Sequence, residues 1–339
     1  MTGWLQLTPE QRKASITRVE YNTGIIAKAI EKDWWVTLAL RALFQSAYAE
    51  HIVFKGGTSL SKCWKLISRF SEDIDIALSP EAFGIAYQRN PTKSYVDKLK
   101  RAGCAFTSVD LKNELDKQLT ALGVPMGLAT VAASPIPENR PDTDPQTIHL
   151  KYPSLYDHNP YIADEVKIEV SVRSLSIPCS KVAIVSLLSE ETLDEAYAEI
   201  PLEINTVEPQ KTFLEKAFLL HEEFGKPDAG KIRTERMSRH LYDLESMMDT
   251  DTETRALADH VLYDQLIEHR QFYQRIPWVN YETLGHKTIT FIPPSEVEEL
   301  YKKDYQTMRE QMIYGETKPF DHLIERLRNL QQKFRMKLN

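Results

Sequence analysis

The sequence predicts an α+β fold in which an N-terminal lobe, built on a mixed sheet with flanking helices, is followed by a mainly helical C-terminal lobe. Three observations carry this reading. Residues 73–78 and 164–172 alternate polar and apolar side chains, the pattern of half-buried strands. A short apolar run ends on Gly56-Gly57, after which helical spacing resumes. From about Val207 onward the apolar residues recur at helical intervals. At 339 residues the chain exceeds one usual domain, and roughly 150 residues per domain suggests two lobes. We place them at 1–190 and 191–339, the second completing a cleft on the first.

The elements follow in order. Thr8-Pro9-Glu10 has the form of an N-cap with proline at the first helical position. Ile26, Ile30, Val36, Leu40 and Leu43 give 25–49 a helical period. His51–Lys55 is a short strand that Gly56-Gly57 ends, and 58–67 is a helix through Leu60, Trp64 and Leu66 or Ile67. Ile74, Ile76 and Leu78 share one face of the next strand, Asp73 and Asp75 the other. A helix over 94–122 and a proline-rich loop over 135–145 lead to the strand at 164–172, with Lys167, Glu169 and Ser171 opposite Val166, Ile168, Val170 and Val172. Helices are expected over 212–223, 234–248, 252–272, 295–314 and 320–338, and the stretch 185–207 carries no clear period.

Apolar residues make up 42% and charged residues 27%, enough for an ordinary core. The apolar run 34–40 is bounded by Lys32, Asp33 and Arg41, far short of a membrane span. Met1-Thr2-Gly3-Trp4 does not open a basic and apolar leader, so no membrane association and a cytoplasmic location are expected. Cys63, Cys104 and Cys179 are odd in number and widely spaced, as reduced thiols are. A net charge of -7 argues against nonspecific coating of nucleic acid, which depends on neutralising phosphates. Local basic segments remain: Lys93–Arg101, and the C-terminal set Arg326, Arg328, Lys333, Arg335 and Lys337. The latter either meets a polyanion or forms a solvated helix face, the simpler of the two.

The chemistry concentrates at the glycine turn and the strand after it. Residues i and i+2 of a strand share a face, so Asp73 and Asp75 place two like charges together. Such a pair suits Mg2+ or Mn2+, hard ions that take oxygen ligands and keep waters and substrate phosphates. Glu169 adds a third carboxylate if its strand is a neighbour, and carboxylate clusters of this kind build two-metal sites for in-line displacement. In Gly56-Gly57-Thr58-Ser59 the glycines admit close approach of a phosphate, helix-start amides point at the anion, and two hydroxyls add donors. Alone, either motif has a simple structural explanation, a glycine corner or a polar strand face. Together they point to phosphoryl or nucleotidyl transfer.

Phe54-Lys55-Gly56-Gly57-Thr58-Ser59-Leu60-Ser61-Lys62, continuing to Arg69-Phe70-Ser71-Glu72-Asp73-Ile74-Asp75, resembles the AbiEii/AbiGii family of minimal nucleotidyltransferase toxins, also described as MenT-like, of the polymerase-β superfamily. The likeness extends upstream through Glu31-Lys32-Asp33-Trp34-Trp35-Val36. Downstream it runs to Asp304-Tyr305-Gln306-Thr307-Met308, Tyr314-Gly315 and Pro319-Phe320. The resemblance implies a polymerase-β-type nucleotidyltransferase lobe with Asp73, Asp75 and Glu169 as metal ligands. It also implies nucleotide contacts from Gly56, Gly57, Thr58, Ser59 and Lys216, the last standing in Thr212-Phe213-Leu214-Glu215-Lys216. Arg239-His240-Leu241-Tyr242-Asp243 is similar to a Lys-Asp-x-x-Asp motif of many members, which implies a catalytic role for Asp243. His240 departs from that motif and carries over no aspartate role, so Arg239 and His240 are secondary candidates. Glu169 also departs, standing where aspartate is usual; a metal ligand, an indirect role and a base for the acceptor hydroxyl all stay open. Lys55 either touches phosphate or points away.

What the resemblance implies in function is a toxin of a type IV toxin–antitoxin or phage-defence system. It would use a nucleoside triphosphate and Mg2+ or Mn2+ to transfer a nucleoside monophosphate to RNA, with the tRNA 3′ end as the expected acceptor and a cognate antitoxin as partner. Two alternatives stand beside it: transfer to a protein hydroxyl, such as that of an antitoxin, and a nucleotide-binding regulator without turnover.

Overall fold

The computed structural model describes residues 2–159, 161–191 and 197–336. The chain divides into two compact units: 1–63, 70–88 and 92–207 form the first, and 64–69, 89–91 and 208–339 the second.

In the first unit, helix α1 (Pro9–Thr23) opens on the expected N-cap. The Thr8 side chain accepts from the Gln11 N–H at 3.3 Å, and Gln11 Oε1 accepts from the Thr8 N–H at 2.9 Å, a reciprocal capping box. Helix α2 (Ala27–Phe44) is buried over most of its surface, including Glu31 and Lys32. A seven-stranded sheet follows: β1 (Ile52–Lys55), β2 (Ile74–Leu78), β3 (Thr130–Ala133), β4 (Gln146–Lys151), β5 (Glu165–Ser171), β6 (Cys179–Ile184) and β7 (Leu202–Val207), in spatial order β3-β4-β5-β2-β1-β7-β6. It is mixed, as expected. β1 pairs parallel with β7 and β2 parallel with β5, and the remaining pairs are antiparallel. Ile74, Ile76, Ile148, Leu150, Val166, Ile168 and Val170 are buried in its core.

The other helices of this unit are α3 (Gly56–Lys62), α4 (Lys93–Phe106), α5 (Lys112–Ala121) and the short α6 (Leu187–Glu190). Three expectations change. The helix expected over 58–67 begins at Gly56 and stops at Lys62, because Trp64–Arg69 leave for the second unit. The helix expected over 94–122 runs on without leaving helical backbone but is widened by a π turn at Thr107–Leu111, where the Ser108 hydroxyl donates back to the Cys104 carbonyl at 2.8 Å; such back-bonding perturbs a helix locally. The unreadable stretch 185–207 contains β7, and the sheet-bearing unit runs to Val207 rather than 190.

The second unit is helical: α7 (Pro209–Phe224), α8 (Ser238–Met247), α9 (Asp251–Ala258), α10 (His260–Tyr273), α11 (Ser295–Gln311) and α12 (Phe320–Met336). The single helix expected over 252–272 is two, because Asp259 caps α10 by accepting from the Leu262 N–H at 2.9 Å. A residue that caps one helix takes a non-helical backbone and ends the other. Phe334 centres the core, 5.4 Å from the ring of Phe291 and stacked on Phe213. The segment 64–69 is held here by a bridge from Arg69 to Ile313, and the Ser68 carbonyl accepts from the Tyr314 N–H at 3.0 Å. Lys337 and Leu338 lie outside the described residues, as does Met1.

Candidate active site

The acidic residues of the first unit are brought together by strand register. Asp75 on β2 stands opposite Glu169 on β5, and Lys55 on β1 opposite Asp75. Directly paired residues of adjacent strands share a face about 4.8 Å apart, so Lys55, Asp75 and Glu169 form one polar row across three strands. Asp73 precedes β2 by one residue. All four are half-buried, while the alternate residues Ile74, Ile76, Ile168 and Val170 are fully covered.

The glycine turn is fitted to this row. Gly56 has φ +80°, and a Cβ there would lie 2.0 Å from Asp75 Oδ2 and 2.8 Å from its Cγ. Any side chain would collide with the carboxylate, so glycine is required twice over, by backbone conformation and by contact. No side chain caps the start of α3, which leaves the amide donors of the turn as its anion-facing groups. The hydroxyls turn elsewhere. Thr58 donates to the Asp73 carbonyl at 2.5 Å and lies 2.8 Å from the Ser71 hydroxyl, and Ser59 donates to the Gly56 carbonyl at 2.8 Å. Both residues are buried. In this conformation they shape the turn and hold Asp73 in place.

Nearby acids are already occupied. Glu31 accepts from the Ser154 hydroxyl and the Leu155 N–H, Asp33 from Lys62 and the Leu187 N–H, and Glu72 from Lys32 at 2.6 Å. Among the described residues, no hydrogen bond or ion pair engages the carboxylates of Asp73 and Asp75. Burial first, then the charges of Glu72 and Asp75, push the Asp73 pKa up. Two carboxylates without donors and under mutual repulsion are the chemistry a divalent cation relieves. No group of three His, Cys, Asp or Glu side chains converges as a preformed metal cage among the described residues. Asp73, Asp75 and Glu169, read from the sequence as a set of three metal ligands, are thus not drawn together as such a cage.

The second unit carries its own charged cluster. Asp243 on α8 is fully buried. It accepts from Arg69 Nε at 2.6 Å and Nη2 at 2.8 Å, and pairs with Lys216 Nζ of α7 at 2.7 Å. Burial opposes ionisation of Asp243, but the two cations outweigh it and hold its pKa far below the usual carboxylate range. Lys216 is shifted down, chiefly by burial and further by Arg69 and Arg239, against the pull of Asp243. His240 is pushed well below its ordinary value by burial, then by Lys216 and Arg239, and stays neutral at pH 7. Its Nδ1 and the Arg239 Nε are buried without a hydrogen-bond partner. Arg69 and Lys216 thus meet the carboxylate of Asp243, and the charge of Arg239 acts on Lys216 and His240. Three cationic side chains with the unpartnered Arg239 Nε suit an anion. Asp243 acts as the counter-ion that orients Arg69 and Lys216.

The family of nucleotidyl transferase AbiEii toxins, of the type IV toxin–antitoxin system, matches residues 38–326. The chain belongs to the AbiEii nucleotidyl transferase family. The match spans both units and includes Gly56, Asp73, Asp75, Glu169, Lys216 and Asp243. The protein is accordingly a toxin of the type IV class with nucleotidyl transferase character, for which a nucleotide substrate and a cognate antitoxin follow. No curated protein matches the chain. No helix among the described residues is long and apolar enough to cross a membrane.

Seen within this AbiEii member, the motifs of the sequence divide by task. Glu31, Lys32 and Asp33 of the upstream segment hold buried polar contacts. Downstream, Asp304 accepts from the Arg236 and Ser238 N–H groups at the start of α8, and the Tyr305 hydroxyl donates to the Lys318 carbonyl. Sequence reasoning missed Lys32 and Arg69, whose partners are distant in the chain. Two residues of the C-terminal basic set, Arg326 and Lys333, are paired with acids within their unit. Arg326 is bonded to Glu245 and Asp249, Lys333 to Glu253, and Arg335 to the Ile289 carbonyl. On α4, Lys100 pairs with Asp142, whereas Lys93, Lys98 and Arg101 are exposed.

Proposed function

We propose that this protein transfers a nucleoside monophosphate from a nucleoside triphosphate to an RNA hydroxyl, the 3′ end of tRNA being the expected acceptor, and releases pyrophosphate. The observation that carries the reading is Asp75, in register with Glu169 and packed against a turn where only Gly56 fits. Asp73, Asp75 and Glu169 are the residues that would hold Mg2+ or Mn2+. A bound cation supplies neutralisation of the phosphate charge and activation of the attacking hydroxyl. The turn at Gly56 and Gly57 offers backbone donors to the triphosphate, and Lys55 stands in the same row as a further cation. Within the second unit, Lys216, Arg69 and Arg239 supply positive charge suited to an anion, with Asp243 as their counter-ion. Growth inhibition in a phage-defence or toxin–antitoxin setting would result from the loss of usable acceptor RNA.

The test offers each common triphosphate, labelled on its α-phosphate, with total tRNA and with lysate protein, in magnesium and in chelator. Magnesium-dependent label on tRNA is the expected result. Label confined to protein would replace the acceptor, and binding without any transfer would make the protein a regulator.

A further inference from the structure

We propose that Lys32 is a positioning residue for the acid row, its buried ammonium tying the lead-in of β2 to the lead-in of β5. The inference rests on the reading above, in which Asp73, Asp75 and Glu169 hold the cation. Lys32 on α2 is 2% exposed. Its Nζ lies 2.6 Å from Glu72 Oε2 and donates to the Ala163 carbonyl at 3.1 Å. Glu72 immediately precedes Asp73, and Ala163 stands two residues before β5 begins at Glu165. The two strands are parallel neighbours, so both lead-ins lie at the same end, where one side chain reaches both.

This contact fixes what the site depends on. The pairing of Asp75 with Glu169 is a matter of register, and a slip of one residue would turn Glu169 to the opposite face. Lys28, one turn earlier on the same face of α2, secures the approach to β5 by pairing with Asp164 at 2.7 Å and donating to the Asp157 carbonyl at 2.7 Å. Glu31 holds Ser154 and Leu155 of the same segment. Stability alone gives no reason for an ammonium at position 32. Desolvating an ion pair cancels much of its attraction, and an apolar side chain of the same volume commonly serves as well. Register is the best-attested use of such a buried pair.

The sign of the outcome separates positioning from simple electrostatics. Removing a cation near a metal site should tighten metal binding, whereas loosening the strand lead-ins should weaken it. The experiment measures Mn2+ binding to the full chain without nucleotide, by water-proton relaxation, for wild type, Lys32→Met, Lys32→Arg and Asp73→Asn. The melt in chelator and the Mg2+ concentration for half-maximal transfer are followed in parallel. Lys32→Met is expected to weaken Mn2+ binding tenfold or more and raise the Mg2+ requirement similarly, with the chelator melt shifted little. Lys32→Arg, which keeps the charge but displaces it, is expected to weaken binding as well. A folded Lys32→Met that binds Mn2+ as well as or better than wild type overturns the inference. If that variant does not fold, wild-type binding by Lys32→Arg does so. Wild-type Mn2+ binding by Asp73→Asn would instead sink the metal assignment on which the inference rests.

Discussion

Replacing Gly56 with alanine tests the fit between the turn and the acid row most directly. The added Cβ would sit 2.0 Å from Asp75 Oδ2, 2.8 Å from Cγ and 3.0 Å from Cβ, on a residue whose φ is +80°. A left-handed conformation costs a non-glycine residue about 1–2 kcal/mol, and forcing atoms into packed space typically costs about 1–3 kcal/mol more. The sum is roughly 2–5 kcal/mol, or a fall in melting temperature of roughly 5–15 °C for a unit of this size. The clash can be relieved only by moving Asp75, and a displacement of about 1 Å at a reacting centre costs on the order of 100-fold in rate. Gly24→Ala is the control. Gly24 has φ +71° with nothing within 4 Å of a built Cβ, so it carries the backbone cost alone, about 1–2 kcal/mol, and should leave transfer intact. Thermal melts and labelled-triphosphate turnover of both variants read the difference. A Gly56→Ala protein as stable as Gly24→Ala and as active as wild type would refute the argument that Asp75 and the turn are mutually fitted.

Asp73→Asn should abolish transfer. Because the Asp73 pKa is raised in the fold, ionised Asp73 disfavours folding once pH rises above its unfolded value. The asparagine variant should therefore melt higher than wild type in chelator at pH 7, and an equal or lower melt would contradict the repulsion described. Asp243→Asn leaves Arg69 and Lys216 buried without their carboxylate, a loss of about 3–5 kcal/mol for a broken buried pair, read by denaturant unfolding. Since Asp243 is depressed in the fold, its stabilisation is complete above its unfolded pKa near 3.9 and falls away as pH drops toward the depressed value. Wild type should lose this part of its stability in acid, and Asp243→Asn should lack that component of the slope. Arg326→Ala and Lys333→Ala, which remove partly exposed pairs to Glu245 and Glu253, should each cost about 0–1 kcal/mol and leave tRNA labelling unchanged. A large drop in labelling would show that the C-terminal helix touches the acceptor.

Much of the site was legible because its signals are local. Alternation along 73–78 puts Asp73 and Asp75 opposite Ile74 and Ile76 whatever the rest of the chain does, and Gly56-Gly57 between an apolar run and a helical period marks a turn. The Thr8 cap was legible for the same reason. The π turn at Thr107–Leu111 and the helix break at Asp259 were not, since a hydroxyl or carboxylate that bonds nearby backbone leaves the apolar period intact.

By itself the sequence determined the carboxylate pair, the glycine turn, the α+β order and membership in the AbiEii family, all properties of contiguous residues or of a recurring motif. Only the tertiary structure decided that Glu169 stands beside Asp75, because strand order joins residues nearly a hundred positions apart without any local mark. It also decided that Lys216 and Arg69 share Asp243, that the Thr58 and Ser59 hydroxyls turn inward, and that the basic residues Arg326 and Lys333 are spent on neighbouring acids. A side chain's partner is set by which elements pack together, and charge or period along the chain does not encode that.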